Sequence, residues 1–351
     1  MNSIPVQIIF MIFTSCIGTL NINGLKNKCS QQILRQRIFN EDIDFLFLQE
    51  VNTEDFSFLG NRYDAGVYIG ESDRGTAIVY RNGLAIKFCE KHSSGRITSI
   101  MTENNVLMIN LYLPSGTNKR QERELFITNE LPFYLRHNYD AILIGGDFNC
   151  VLNARDQKGV FNFSPALHSV CKEFNFCDVW EAKHDMTPGY TFYRGDSASR
   201  LDRIYVKNTD RKKISNVNIH PVPCSDHHIL ILKMELNNSA NIPFGRSYWK
   251  LNESIFNEKC VENDFRQLWD NKMKQASNSK LSLLKQWQKI YKPAIKSFFQ
   301  KYSYEIGRER QQKIEFYYKV LNDLLKKQQQ GENISSHMNS VKKCICRIQN
   351  N

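Results

Sequence analysis

Ile142-Leu143-Ile144-Gly145-Gly146-Asp147-Phe148-Asn149 decides how this chain is read. A short, continuously apolar run closed by glycines (Ala141–Gly145) is expected as a strand covered on both faces. Two glycines after it permit a sharp turn, and Asp147 and Asn149, two positions apart, then point the same way. An acid and an amide side by side suit proton transfer combined with orientation of a nucleophile or a phosphate oxygen.

The same arrangement recurs on both sides of that stretch. Glu50 closes the apolar run Phe45-Leu46-Phe47-Leu48-Gln49. A carboxylate at the exit of a buried strand needs a partner, because an unpaired buried charge is costly. A hard cation such as magnesium would supply one, and so would a nearby arginine. Ser225-Asp226-His227-His228 opens the apolar run Ile229–Leu232. The two histidines face opposite ways if the strand has begun, and His227, further from the strand interior, is the better acid, base or phosphate ligand. Asp202 stands at the mouth of another apolar run, Arg203–Val206, while Tyr112 and Asn21 offer neutral polar groups in Leu107–Leu113 and Ile17–Ile22. Six strand ends that each present a polar group are what one convergent site requires.

Strands are expected at Ile17–Ile22, Phe45–Gln49, Ala77–Tyr80, Leu107–Leu113, Ala141–Gly145, Arg203–Val206 and His228–Leu236. Amphipathic helices are expected at Gln31–Asn40, Gln121–Leu135 and Ser164–Phe176, the last opening with Ser164-Pro165 as N-cap and first turn. This alternation predicts a layered α/β sandwich. After a polar linker at 237–247, the spacing changes to three and four. Leu284, Trp287, Tyr291, Ala294, Phe298 and Tyr302 form one such series, and Ile314, Tyr317, Leu321 and Leu324 another. Two long helices packed as a hairpin, with a kink at Pro293, are expected there.

With 41 % hydrophobic and 12 % aromatic residues the chain can build a packed core, which excludes global disorder. Its formal net charge of +11 is unevenly spread: residues 237–351 hold 21 Lys and Arg against 10 Asp and Glu, so the excess sits there. A basic segment beside a neutral one points to nucleic acid, with a solvated helical surface as the plainer alternative. The ten cysteines include no C-x-x-C pair, so neither a zinc site nor a disulfide framework is expected. The apolar segment Ile4–Thr14 has no basic residue before it and is too short to span a bilayer, so neither a signal peptide nor a membrane partner is expected. No protein partner can be read from the sequence.

Taken in order, Thr19–Leu25, Leu48-Gln49-Glu50, Asn110–Pro114, Gly146–Asn149, Tyr190-Thr191-Phe192, Arg200-Leu201-Asp202 and Ser225-Asp226-His227 resemble the endonuclease/exonuclease/phosphatase superfamily. The wording is most similar to the apurinic-endonuclease-like domain of LINE-type non-LTR retrotransposons. The resemblance covers residues 16–236 and leaves 1–15 unmatched. It implies a four-layered α/β sandwich, two facing mixed sheets flanked by helices, followed by a basic helical extension at 248–351. It also implies a nuclear or other intracellular enzyme that nicks DNA with Mg2+, or Mn2+ as an alternative, leaving a 3′-hydroxyl. RNA is a second candidate partner, through the basic extension.

On that resemblance Asn21, Glu50 and Asp226 hold the metal, and Tyr112 contacts the scissile phosphate. Asp147 handles the water's proton, Asn149 orients water and phosphate, and His227 paired with Asp202 stabilises charge. Thr191, Arg155 and Ser225 contact substrate. Tyr248–Asn252 resembles the start of the helical linker that precedes a reverse transcriptase, and the chain ends before any polymerase motif. Two other readings stay open: a phosphoesterase acting on inositol phosphates or phospholipids, and a non-catalytic nucleic-acid-binding remnant of a mobile element.

Overall fold

The computed structural model describes residues 13–68, 74–159, 161–184, 187–194, 197–236 and 259–350. The expected linker 237–247, the stretch Tyr248–Asn252 and most of the apolar N-terminal segment lie outside them. Met1–Pro243 with Leu321–Asn350 form one compact unit, and Phe244–Val320 with Asn351 a second.

In the first unit, strands β1 (Phe13–Asn21), β2 (Phe45–Gln49), β3 (Tyr63–Tyr68) and β4 (Thr76–Arg81) share a sheet with the late strands β14 (Ile214–Pro221) and β15 (His228–Leu236), ordered β14-β15-β1-β2-β4-β3. Strands β5 (Ile86–Lys91), β6 (Ile97–Thr102), β7 (Val106–Tyr112) and β8 (Ala141–Asp147) share a second with β10 (Phe176–Asp178) and β13 (Asp202–Lys207), ordered β10-β13-β8-β7-β6-β5. A small third sheet joins β9 (Gln157–Lys158), β11 (Phe192–Arg194) and β12 (Ser197–Ser199).

Each large sheet contains one parallel pair, β1 with β2 and β7 with β8. Parallel neighbours need a crossover, and helices supply it. Helix α1 (Lys28–Asn40), capped by the Asn27 side chain, joins the first pair; α2 (Arg120–Asn129) and α3 (Leu131–Tyr134) join the second. The expected helix Gln121–Leu135 is thus divided just before Pro132. Helix α4 (Pro165–Glu173) has Ser164 as its N-cap, with Pro165 in the first turn, as read from the sequence.

Alternation in β2 shows how the layers form. Leu46 and Leu48 pack with Ile33, Leu34 and Ile38 of α1, while Ile127, Leu131, Leu167 and Val170 of α2, α3 and α4 pack with Leu107, Ile109 and Ile144 of the second sheet. Phe47 faces the other way and lies against Gly145 of the second sheet. The result is helix, sheet, sheet, helix: the four-layered sandwich. Asn110 pins the facing sheets together, donating to the Leu48 and Ala77 carbonyls at 2.8 and 2.9 Å and accepting from Gln49 at 2.7 Å, all buried.

The two glycines before Asp147 do not form the expected turn; both lie within β8. Their reason is room. A Cβ on Gly145 would lie 2.1 Å from Phe47 Cδ2, and one on Gly146, at φ 149°, would lie 2.0 Å from the Leu111 carbonyl oxygen. Gly145→Ala is expected to destabilise the fold by about 1–3 kcal/mol, because Phe47 is fully enclosed and cannot yield. An unchanged denaturant midpoint would contradict this account of the close approach.

In the second unit, α6 (Lys259–Ser277) packs through Phe265 on Phe298 and Phe299, with ring centroids 5.5 and 5.2 Å apart. After α5 (Val179–Lys183) of the first unit and α7 (Leu283–Gln286), a π-helical turn at Trp287–Tyr291 leads into α8 (Lys292–Gln329). The two apolar series therefore lie on one continuous helix, not on the two arms of a hairpin. Between Tyr302 and Ile314 the only helix-weakening residue is Gly307, which costs about 1 kcal/mol and cannot end so long a helix. Pro293, where the sequence predicts a kink, follows directly on that π-helical turn, in which the regular ladder of helix hydrogen bonds is already interrupted. The last helix, α9 (Ser335–Asn350), belongs to the first unit. No helix among the described residues is long and apolar enough to cross a membrane.

Candidate active site

Strand direction brings the polar ends together. Tyr112 at the end of β7 is in register with Asp147 at the end of β8, and Asp147 with Asp202 at the start of antiparallel β13. From the facing sheet, β1 ends at Asn21, beside Gln49 at the end of β2, and β15 begins at His228. Asn21 bridges the two sheets: its side-chain nitrogen donates to Glu50 at 3.1 Å and to Asp147 at 3.0 Å. The Tyr112 hydroxyl donates to the same Glu50 oxygen at 2.7 Å. Asn21, Glu50, Tyr112, Asp147, Asp202 and His227 are all buried.

Asp147 accepts the Asn149 backbone N–H at 3.0 Å, an Asx-type turn that places Asn149 at φ 48°. The Asn149 side chain donates to the Leu113 carbonyl at 3.0 Å. His227 Nδ1 lies 2.8 Å from Asp202, whose β13 amide is held by the Thr191 hydroxyl at 3.1 Å. Ser225 ties the loop before β15 to β1: its hydroxyl donates to the Asn21 carbonyl at 2.6 Å and accepts the His227 N–H at 3.0 Å. Thr191 is fully buried and Ser225 nearly so, so both are placed to hold their neighbours.

The electrostatics follow from burial and carboxylate density. Burial lowers the His227 imidazole pKa, but Asp202, which also hydrogen-bonds it, then Asp147 and Asp226, outweigh that effect and push it up to about 9. Burial raises Asp147, with His227 opposing and Asp202 adding to the rise. Burial and the Glu50 carboxylate hold the Tyr112 phenol far above its ordinary value, so it stays a donor at neutral pH. His228 faces the other way, fully buried, and burial pulls its pKa well down.

The ligand atoms of Asp147, Asp202 and His227 lie within 4.8 Å of one another. Glu50 and Asn21 join this group through hydrogen bonds, whereas Asp226 is exposed and is not part of the group. The donors fit a hard divalent cation: three carboxylates, Glu50, Asp147 and Asp202, converge, and the buried Asp202 Oδ1 has no hydrogen-bond partner among the described residues. A protonated His227 is a poor metal ligand, which leaves the oxygens of Glu50, Asp147 and Asp202 as the better-suited donors, while Asn21 turns its nitrogen to Glu50 and Asp147 and its oxygen to the Asn23 N–H at 3.1 Å.

Glu50 also has the arginine partner that its sequence position allowed for, Arg74. Arg155 lies beside Glu181 at 3.6 Å on the short helical turn before β9. Sequence reasoning missed both Arg74 and Arg96, whose guanidinium lies 5.3 Å from the Tyr112 ring centroid. It also missed Arg200 and Arg203, which are fully enclosed on either side of Asp202. Nothing in local sequence separates these arginines from surface ones.

A model of the Endonuclease/Exonuclease/phosphatase family matches residues 18–227, the span that holds every one of these groups. The chain belongs to this family. Membership makes it a hydrolase, as the sequence resemblance implied. The chain is 28 % identical over 183 residues to the transposon TX1 uncharacterized 149 kDa protein of Xenopus laevis, a match covering 50 % of this chain and only 14 % of that protein. Proteins of known structure share its fold. The AP endonuclease LMAP of Leishmania major superposes with a TM-score of 0.55 at 17 % identity, covering 64 % of this chain and 88 % of that one. An AP endonuclease of Archaeoglobus fulgidus gives 0.53 at 18 %, covering 63 % and 100 %. The 3′ phosphatase NExo from Neisseria, bound to product DNA hairpin, gives 0.52 at 17 %, again covering 63 % and 100 %.

Proposed function

We propose that this chain is a divalent-metal-dependent DNA endonuclease of the LINE-type retrotransposon class, hydrolysing a phosphodiester to leave a 3′-hydroxyl. The observation that carries the reading is the meeting of Asn21, Glu50, Tyr112, Asp147, Asp202 and His227 in one buried, hydrogen-bonded cluster at converging strand ends. Similarity to a transposon protein and to DNA-processing folds supports the choice of substrate.

Glu50, Asp147 and Asp202 are the residues that would hold the cation, magnesium or manganese, with Asn21 aligning the first two. When bound, it neutralises phosphate charge and steadies the leaving oxygen. Asp147, raised toward neutrality by burial, accepts the proton of the attacking water. Asn149, clamped by Asp147 and Leu113, orients that water and a phosphate oxygen. His227 is held as an imidazolium by Asp202, so it meets the developing negative charge on the phosphate with a fixed positive one. Tyr112, protonated and directed by Glu50, adds a donor to the same group. Thr191 and Ser225 hold Asp202 and His227 in place, and Arg155 is a candidate contact to substrate backbone. Nucleic acid is also the partner that the charge of residues 237–351 fits.

Supercoiled plasmid tests the reading. Magnesium or manganese is expected to support nicking, excess chelator to abolish it, and DNA ligase alone to reseal the product, since resealing needs a 3′-hydroxyl. No nicking with either metal rejects the proposal, and turnover of an inositol phosphate in place of DNA transfers the site to the other substrate class.

A further inference from the structure

The family match ends at His227, yet residues 321–350 belong to the same compact unit as the catalytic sandwich. Helix α9 packs on α1. Cys29 lies against the Cys346 carbonyl at 3.7 Å, Gln349 donates to Gln36, and Cys346 packs against the core cluster beneath α1. Near the end of α8, Asn322 meets His220 of β14 at 3.4 Å.

One contact in this interface reaches the catalytic loop. Lys342 Nζ donates to the Ser225 carbonyl at 2.8 Å, across 117 positions of sequence. Among the described residues no backbone N–H donates to that carbonyl, so the lysine completes it. Ser225 is the residue whose hydroxyl accepts from His227 and donates to the Asn21 carbonyl. A lysine on a surface helix ordinarily extends its ammonium into water. This one is half-buried and turns onto the Ser225 carbonyl.

We propose that Lys342 is a positioning residue of the active site, a cationic peg from a helix outside the family domain that fixes the Ser225–His227 loop and thereby His227. This rests on the nuclease reading only for its catalytic consequence. A loop held at one carbonyl, one hydroxyl and one amide has a single arrangement, and removing the charge-assisted bond frees its outer side. Binding of the DNA backbone is spread over many groups, whereas the charge that His227 supplies is used mainly in the transition state. The loss is therefore expected in kcat and not in KM.

The test uses the full chain with Lys342→Met, close to lysine in length, and the neighbouring exposed Lys343→Arg, which keeps its charge, as control. For Lys342→Met, amide hydrogen exchange across residues 222–228 is expected to accelerate about tenfold while the melting midpoint holds. Its kcat for plasmid nicking is expected to fall about tenfold at unchanged KM. The control should match the unaltered chain in all of these. Unchanged exchange at 222–228 overturns the proposal, and so does a normal kcat with faster exchange. If the unaltered chain does not nick DNA, the nuclease reading fails by itself, and exchange at 222–228 still decides whether Lys342 holds the loop.

Discussion

Asp147→Asn is expected to lower metal-dependent nicking by about 10²–10⁴-fold, the range for loss of a positioned proton acceptor. The substitution keeps the shape of the side chain, and its oxygen can still accept the Asn149 N–H that now reaches Asp147 at 3.0 Å. What disappears is the negative charge that draws a cation and takes the water's proton, together with the bond from the Asn21 nitrogen at 3.0 Å, which the new amide nitrogen cannot accept. Asp147 is 1 % exposed and lies in register with both Tyr112 and Asp202, so no neighbouring carboxylate can move into its place without breaking the β7-β8-β13 ladder. Single-turnover nicking at saturating magnesium, beside circular dichroism of the variant, measures it. A rate within threefold of the unaltered protein in a folded variant would remove Asp147 from the mechanism.

The second large effect concerns stability. Arg200 donates to Asp156 at 2.8 and 3.1 Å, to Glu181 at 2.8 Å and to Asp178. Arg203 donates to Asp178 at 3.1 Å and to Asp156 at 3.0 Å. Both arginines are fully enclosed and the two aspartates nearly so. Removing one member leaves the others buried and unmatched, so Asp178→Asn is expected to cost about 3–5 kcal/mol. Asp178 also caps α5 through the Trp180 N–H at 2.9 Å, which asparagine retains, so the charge is what the variant tests.

The pH dependence has a defined sign. Burial alone would raise the Asp178 carboxyl, but Arg200 and Arg203 outweigh it and hold the group below its ordinary value. A carboxyl lowered on folding contributes fully above its unfolded pKa of about 3.9 and loses that contribution as pH falls through the folded value. The unaltered protein should therefore lose stability on acidification below that point, more steeply than Asp178→Asn. Urea midpoints at pH 7 and pH 3 measure both effects, and equal midpoints at pH 7 would show the network to be dispensable.

That network explains why Asp202 is so firmly placed. Arg200 and Arg203 flank it in sequence, and their ion pairs lock the strand on which it sits. The arginines were visible in the sequence, but their burial was not, because charge pairing across 19 to 47 positions leaves no local trace.

The strands differ in legibility for a similar reason. Strands β2 and β8 are apolar runs covered on both faces, β15 is one over Ile229–Leu232, and all three are legible in the sequence. Strand β5, Ile86-Lys87-Phe88-Cys89-Glu90-Lys91, lies at a sheet edge with alternate residues exposed, and β14 is likewise an edge strand rich in polar residues. Neither is among the strands expected from the sequence, because their evidence is the partner strand and not their own composition.

By itself the sequence determined the layered α/β class, the order of polar strand ends and the family, since apolar runs that end in acids, amides and a histidine are local and ordered facts. Only the tertiary structure decided that Gly145 is space for Phe47, that one helix and not two carries the late apolar series, and that Lys342 reaches back to Ser225. Each of these depends on which distant surfaces meet, and a chain's local pattern records what a residue prefers, not what it will be packed against.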